Sequence, residues 1–528
     1  MFREFSIPLA IRPRRGADRG RWTRRGTALC LLLTTACVPL VDQFRSDSSP
    51  RHVFAVGFEN LSERYIEPVD TGNVVLAGLA RLAAFDDGVG FSRSGRTVQI
   101  RISERIAQER EVPHENDAYG WGWLAAKIIE DARKLSPRLR ATSNDKLYVS
   151  MFRGALSGFD RHSRYTTPSD ARNSRAARDG FGGLGITIEL RDGVTFITKV
   201  HGRTPAARAG LRVDDRIVGV DGESIVGLAQ RQVIDRLRGQ VDEPIQITIE
   251  RISLAAPMEI SLVRAHILVP TVTTRRADGI LTIKISGFNQ GTSRNVRRAL
   301  EQATRDPGAG LAGIILDLRG NPGGLLDQAV AVADLFLGDG RIISTKGRHS
   351  ESNQIFDAAE GKYLAGVPMA ILINGKSASA AEILAVALRD RGRAAVLGTT
   401  SYGKGTVQTI IRLPNSGEMI LTWARLHAPS GQTLHQQGIV PVLCTSGDDQ
   451  QIEFLLDRLR SQGSATALSP GRATTATTNP HFSMDGRDAC PPSPAQRPAD
   501  MEAARLLLAN PATYARSLLR SDESIARR

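Results

Sequence analysis

Cysteine is scarce in this 528-residue chain: Cys30, Cys37, Cys444 and Cys490 are all it has. No cysteine or histidine cluster falls at metal-ligand spacing, and the nine histidines are dispersed, so neither a metal site nor a cofactor is expected. Long apolar runs are missing as well. The run within Gly26–Val41, centred on Leu29-Cys-Leu-Leu-Leu33, is too short to span a bilayer comfortably. Positive charge is plentiful, formally +14, but it is not interleaved with aromatics, which make up 5% of the chain. That argues against a nucleic-acid-binding face. The first 36 residues hold eight arginines against Glu4 and Asp18, a net +6, so +8 is left scattered over the rest. The excess reads as a weak affinity for acidic surfaces.

What is present begins with an export signal over residues 1–36. Arg12, Arg14, Arg15, Arg19, Arg21, Arg24 and Arg25 precede the short apolar run. Three fates fit it: a cleaved signal, a retained membrane anchor, or a lipid on Cys37, since Leu33-Thr-Thr-Ala-Cys37 is similar to a lipoprotein box. The expected location is the bacterial periplasm or cell envelope. Cys444 and Cys490 are then an even pair in an oxidising compartment, and a disulfide pinning the C-terminal tail is expected, with two buried thiols as the alternative.

The length and a 41% hydrophobic content allow two to four domains. Residues 53–175 read as mostly helical, with an insertion over Asp86–Asn144 whose Arg101–Arg110 charge run is expected to be a solvated helix face. Residues 180–265 alternate short strands with turns around one helix, Leu228–Leu237. From 266 to 443 the pattern is α/β, including a buried strand at 368–373, a helix at 380–390 and a hairpin of Val407–Leu413 with Met419–Leu426. Residues 444–528 read as a tail with helices at Gln451–Gln462 and Ala499–Leu508 and linker stretches at Ser464–Asn479 and Pro491–Pro498.

Chemistry concentrates in one place. The strand at 368–373 runs through Asn374-Gly-Lys-Ser-Ala to Ser379, which opens the following helix, and twenty-five residues later comes Tyr402-Gly-Lys404-Gly. A serine at such a turn is exposed beside helix N–H groups that can hold an anion. Ser379-x-x-Glu382 also fits a capping box, in which nothing reacts, and Lys404 alone reads as a surface charge. If the pair is functional, the lysine must be neutral to take the serine's proton. A free lysine, with a pKa of about 10.4, is neutral in roughly one molecule in two thousand near pH 7, so burial must depress it. The Lys404 loop carries no carboxylate, Gly403 and Gly405 let it approach closely, Tyr402 and Val407 are expected to exclude water, and Gln408 can orient the amine without a negative charge. Ser377 and Lys376 are the confounders.

These residues keep company with Phe159-Asp-Arg-His-Ser-Arg-Tyr165, Gly182-Gly-Leu-Gly-Ile186, Ile314–Leu325 with its Arg-Gly-Asn-Pro-Gly-Gly, and Leu421-Thr-Trp-Ala-Arg425. In that order the set resembles the carboxyl-terminal processing (tail-specific) proteases, from about Tyr65 to Val442. The resemblance implies a crotonase-like β/α protease core carrying an inserted PDZ domain after a helical N-terminal region. It implies a serine endopeptidase in which Ser379 is nucleophile, Lys404 base and Gln408 the orienting group. Ala380 N–H and that of Gly323 or Gly324 would form the oxyanion hole. The implied partners are proteins or peptides with accessible C-terminal tails, bound by a PDZ groove built from Gly182, Gly183, Leu184, Gly185 and Ile186 with Val233 as the facing wall, ordinary core packing being the alternative for Ile186 and Val233. Membrane association through the N-terminus and self-association stay open. So does a catalytically inactive PDZ adaptor as the alternative. A chymotrypsin-like protease is disfavoured because no Gly-Asx-Ser-Gly-Gly segment follows a suitable His and Asp, and an acyl-coenzyme A enzyme would not need a PDZ domain.

Overall fold

The computed structural model describes residues 48–305, 310–359, 363–447, 449–462 and 484–518. A six-stranded sheet organises the α/β region, in the order Val272–Ala277, Ile280–Ile285, Gly313–Asp317, Met369–Ile373, Ala395–Gly398, Leu443–Cys444. The first pair is antiparallel and the rest are parallel. Parallel strands need crossovers that lay helices over the faces, which is why these strands are apolar on both sides. Met369, Ile371 and Ile373 face a layer containing the helices Thr292–Arg305, Leu326–Asp334 and Ala380–Asp390, whereas Ala370 and Leu372 face the opposite layer. The helix Ala380–Asp390 is buried all round from Ala380 to Arg389.

The opposite layer departs from expectation. It is built by the supposed tail: Ile452, Leu456 and Leu459 of helix Asp449–Gln462, and Ala503, Ala504, Leu507 and Leu508 of helix Pro498–Leu508. Both helices lie within two residues of the expected Gln451–Gln462 and Ala499–Leu508, but they close the core, and the Ser-, Thr- and Pro-rich composition belongs to the connections. Ser464–Asn479 lies outside the described residues. Pro491–Pro498 is extended but not a free linker. Asn374 Nδ2 donates to the carbonyls of Pro494 and Ala495, Gly375 N–H to Ser493 O, and Arg319 to Arg497 O. Arg319 is also paired with Asp317 and with Asp500 at 2.8 Å, all three buried. The sulfurs of Cys444 and Cys490 stand 2.07 Å apart, which fastens this strap to the last strand of the sheet.

In the N-terminal region the helices Pro50–Arg64, Thr71–Ala80, Ala118–Leu135 and Asn144–Ala155 enclose Phe54, Phe58, Trp121 and Phe152. Leu413, Met419 and Leu421 of the hairpin Thr406–Arg412/Glu418–His427 share that core. The insertion is not all helix. Val89–Ser94, Thr97–Ile102 and Arg105–Glu111 form an antiparallel meander, so the Arg101–Arg110 run is strand and turn. Val98 and Ile100 are buried at a two-residue period, and Ser103 and Glu104 both take positive φ, 47° and 67°, as a tight hairpin turn requires. Charge dominated the composition there; the period of the apolar residues decides the structure.

The segment expected to be a PDZ domain forms a sheet ordered Met258–Val263, Pro244–Glu250, Arg216–Val220, Val194–Val200, Ile186–Arg191, with helix Gln230–Leu237 beside the last strand. Phe181–Gly183 leaves this body to pair with Ala265–Ile267, the strand by which the chain returns to the α/β core.

Candidate active site

Three loops at the C-terminal ends of the parallel strands meet around Ser379. Ala378 N–H donates to Asn321 O of the glycine turn, and Tyr402 N–H of the lysine loop donates to Ser377 O. Ser379 itself sits at φ 55°, ψ −116°, a conformation a non-glycine residue keeps only where its surroundings impose it. This is the strained strand-to-helix elbow that lifts a serine hydroxyl out of the chain. The glutamate arm of the expected capping box is present, Ser379 N–H donating to Glu382 Oε2 at 2.7 Å, while the Ser379 hydroxyl makes no capping hydrogen bond. Ser377, by contrast, is fully buried, and its hydroxyl donates to Leu318 O and accepts Asn374 N–H, holding the turn. Lys376 is exposed.

Glu382 is completely buried and ties the serine to the lysine. Its Oε2 accepts the N–H of Ser379 and, at 3.0 Å, the N–H of Lys404; its Oε1 accepts Ser401 Oγ–H at 2.5 Å and Gly403 N–H at 2.7 Å. Burial pushes the Glu382 pKa up from the ordinary carboxylate value, against the pull of these four donors. Burial likewise pushes the Lys404 amine down from the ordinary lysine value; nearby Arg164 adds to this, while Glu382 and Asp160 oppose it. So the sequence expectation of no carboxylate nearby holds for the loop and not for the space around it. Both carboxylates are, however, occupied by other donors. Asp160 accepts from Ser163 Oγ, Thr422 Oγ and His162 N–H at 2.7–2.9 Å. Among the described residues the Lys404 amine enters no ion pair. Gly403 has φ 87°, and a Cβ on Gly405 would lie 2.1 Å from His435 N, so both glycines are required for the loop's path.

Gln408 Nε2 donates to Thr406 Oγ1 at 3.0 Å and to Thr422 Oγ1 at 3.1 Å; Thr422 must accept, because its own proton goes to Asp160. That leaves Gln408 Oε1 as the acceptor on this side chain. Tyr402 is 39% exposed beneath the Arg161 guanidinium, so it gives little of the shielding expected of it. Val407 is partly buried and packs against the core.

The glycine turn settles against the elbow. A Cβ on Gly323 would lie 2.8 Å from both Ser379 Cβ and Ala378 O, and one on Gly324 2.1 Å from Phe288 O. Gly323 N–H is taken by Asn321 Oδ1 at 2.8 Å. Gly323 O and Phe288 O accept from Phe288 N–H and Leu325 N–H, and the N–H of Gly324 has no acceptor among the described residues. Ala380, the first residue of its helix, is likewise without an intrahelical acceptor for its N–H.

Sequence reasoning missed Asp160, Ser163, Thr422 and Ser401, although Phe159–Tyr165 was visible as a motif. In the second groove, Gly183, Leu184, Gly185 and Ile186 line a cavity of about 740 Å³ together with Gln230, Ile234 and Leu237. Val233 does not face it: it is fully buried in the core of that body, one residue off the groove-facing row 230, 234, 237. Gly182 is off the cavity too, its carbonyl accepting Gly239 N–H. No group of three or more potential metal ligands occurs among the described residues, and none of their helices is long and apolar enough to cross a membrane.

The sequence model of peptidase family S41 matches residues 279–443, and that of the PDZ domain residues 174–250. The carboxy-terminal-processing protease of Bartonella bacilliformis is 39% identical over 338 residues, covering 64% of this chain and 77% of that protein. Carboxy-terminal processing protease CtpA of Bacillus subtilis is 30% identical over 305 residues, 57% of this chain and 64% of its own. Among solved structures, a photosystem II D1 C-terminal processing protease aligns over 89% of this chain and all of its own at 20% identity, TM-score 0.40. With its S41 protease fold, inserted PDZ domain and helical N-terminal region, the chain belongs to the carboxy-terminal processing proteases, a family of serine proteases.

Proposed function

We propose that the chain is an exported endopeptidase that cleaves by acyl transfer with a Ser379–Lys404 dyad and recruits substrates by their C-terminal tails. The observation that carries this is the shared carboxylate oxygen: Ser379 N and Lys404 N lie 2.7 and 3.0 Å from Glu382 Oε2, hence at most 5.7 Å from each other. The backbones that carry a half-buried amine, depressed by burial and without an ion pair, and a serine hydroxyl on a strained turn are thereby held close together, which supports the pairing. In this reading Ser379 Oγ attacks the scissile carbonyl as Lys404 Nζ takes its proton. The amine then gives that proton to the leaving nitrogen, and water, deprotonated by the same amine, releases the acyl group. The oxyanion is assigned to the two free donors, Ala380 N–H and Gly324 N–H, in preference to Gly323, whose N–H is spent on Asn321. Gln408 Oε1, left as the acceptor of that side chain, is assigned the role of orienting the amine towards the serine.

Tail capture is assigned to the groove beside Ile186–Arg191. This strand ends its sheet, so its outer edge can take an added strand, and Gly185, at φ 80°, curls the backbone next to it. Export rests on the arginine-rich N-terminus and on the Cys444–Cys490 pairing; the leader and Cys37 lie outside the described residues. The test is hydrolysis of an unfolded protein with an apolar C-terminus by purified protein. Ser379→Ala and Lys404→Ala should each abolish it, and a C-terminal amide on the substrate should slow it. Hydrolysis surviving Ser379→Ala would overturn the assignment.

A further inference from the structure

The groove assigned above to tail capture is not built by the PDZ body alone. Arg294, Asn295 and Arg298, on helix Thr292–Arg305 of the protease core, line the same cavity as Leu184–Ile188. Arg294 and Arg298 are four residues apart, so both side chains leave one face of that helix. The PDZ body contributes Arg203 and Arg238, and His201 and His266 add two imidazoles. No aspartate or glutamate lines the cavity. Arg203, Arg294 and Arg298 meet no carboxylate among the described residues; Arg238 spends itself on Asn173 Oδ1 and on the face of Phe181, 4.1 Å from its centroid.

The three remaining guanidinium groups, of Arg203, Arg294 and Arg298, against no carboxylate are more than one chain terminus can use. A single carboxylate saturates one guanidinium in a bidentate pair. A cleft lined with one sign of charge and walled by Leu184, Ile234 and Leu237 focuses its field on whatever lies in it. The remaining arginines therefore look towards further negative charge on the bound peptide.

We infer that the groove selects tails in which acidic residues stand just upstream of an apolar C-terminal end, and that Arg294 and Arg298 of the protease core read them. Specificity would then be split between two bodies. The PDZ loop and pocket hold the terminus, while the core helix samples the next residues of the tail. This rests on the assignment of the groove to tails.

The test uses the full chain carrying Ser379→Ala and fluorescein-labelled decapeptides ending in one fixed apolar triplet. Two glutamates or two glutamines precede the triplet, and each peptide is made as free acid and as C-terminal amide. By fluorescence anisotropy in 50 mM salt, the glutamate peptide should bind at least about tenfold more tightly than the glutamine peptide, with the gap narrowing in 300 mM salt. In R294Q/R298Q, checked for an unchanged melting curve, the ratio of the two affinities should fall to about two or less. Equal binding of the two peptides, or a ratio that survives R294Q/R298Q, overturns the inference. If free acid and amide bind alike, or nothing binds, the tail-capture reading itself fails and this inference with it. A preference for the free acid without a preference for glutamate sinks the inference alone.

Discussion

Ser379 and Lys404, twenty-five residues apart in the chain, donate their backbone N–H groups to the same oxygen of Glu382. One buried carboxylate thus ties together the backbones of the proposed nucleophile and base. Glu382→Gln puts an amide nitrogen where two of four donors need an acceptor. The buried N–H groups left unpaired should cost about 2–4 kcal/mol of stability. The variant should melt lower and lose kcat with little change in KM, which thermal denaturation and steady-state kinetics on one preparation would show.

Lys404→Met should separate stability from activity. Removing the proposed proton acceptor should lower kcat by roughly 10²–10⁴-fold. The half-buried amine is held below its ordinary pKa, so it is a cost to the folded state at neutral pH, and an apolar chain of similar length relieves that cost. The melting temperature at pH 7 should rise, and a fall would contradict the burial argument.

The same shift fixes the pH dependence. Between the depressed pKa of Lys404 in the folded chain and the pKa of free lysine, about 10.4, the unfolded state binds more protons. The burial penalty is therefore fully present below the folded value, and stability rises with pH across that window. In Lys404→Met this rise should disappear. The rate should follow the neutral amine, with kcat/KM increasing with unit slope up to the folded pKa and levelling above it.

Cys444 and Cys490 enclose 46 residues of sequence separation and hold the Pro491–Pro498 strap against Asn374 and Thr399. In the chain-entropy view a loop of that size is worth about 4 kcal/mol. Reduction should lower the melting temperature and slow hydrolysis, because Arg487, three residues before Cys490, donates to Ser401 O and Gln437 O beside the lysine loop. Equal rates in oxidised and reduced protein would detach the strap from catalysis.

Gly323→Ala places a methyl group 2.8 Å from Ser379 Cβ and from Ala378 O at a backbone φ of 102°. Activity should fall more than a hundredfold, read as kcat/KM, even where the melting curve shows a folded core.

Much of this was legible in the chain. Apolar runs such as 368–373 announced buried parallel strands, and the helix beginning at Ala380 was visible because Ser379 and Glu382 mark its start. The motifs that carry Ser379 and Lys404 were visible in the sequence, and folding brings their backbones to one carboxylate. What escaped shares one cause: side chains brought together by long-range folding carry no local period. Asp160 and Thr422 meet across 262 positions, and nothing in either segment encodes that bond. Val233 and Ile234 are both apolar, so which of them faces the groove depends on helix phase; of the two readings open for Val233, groove wall and core, the structure shows the core. The C-terminal helices were legible as helices, but their docking on the sheet through Leu456, Leu459, Ala504 and Leu507 is a long-range contact that no local pattern encodes.

The most direct measurement is the site of covalent labelling by a serine-directed fluorophosphonate, mapped by mass spectrometry of peptides from the wild-type chain and from Lys404→Ala. A single adduct on Ser379 in the wild type, formed at least about a hundredfold more slowly in Lys404→Ala, is the predicted result. An adduct on another residue, or labelling of Ser379 at the same rate without the lysine, would contradict the account.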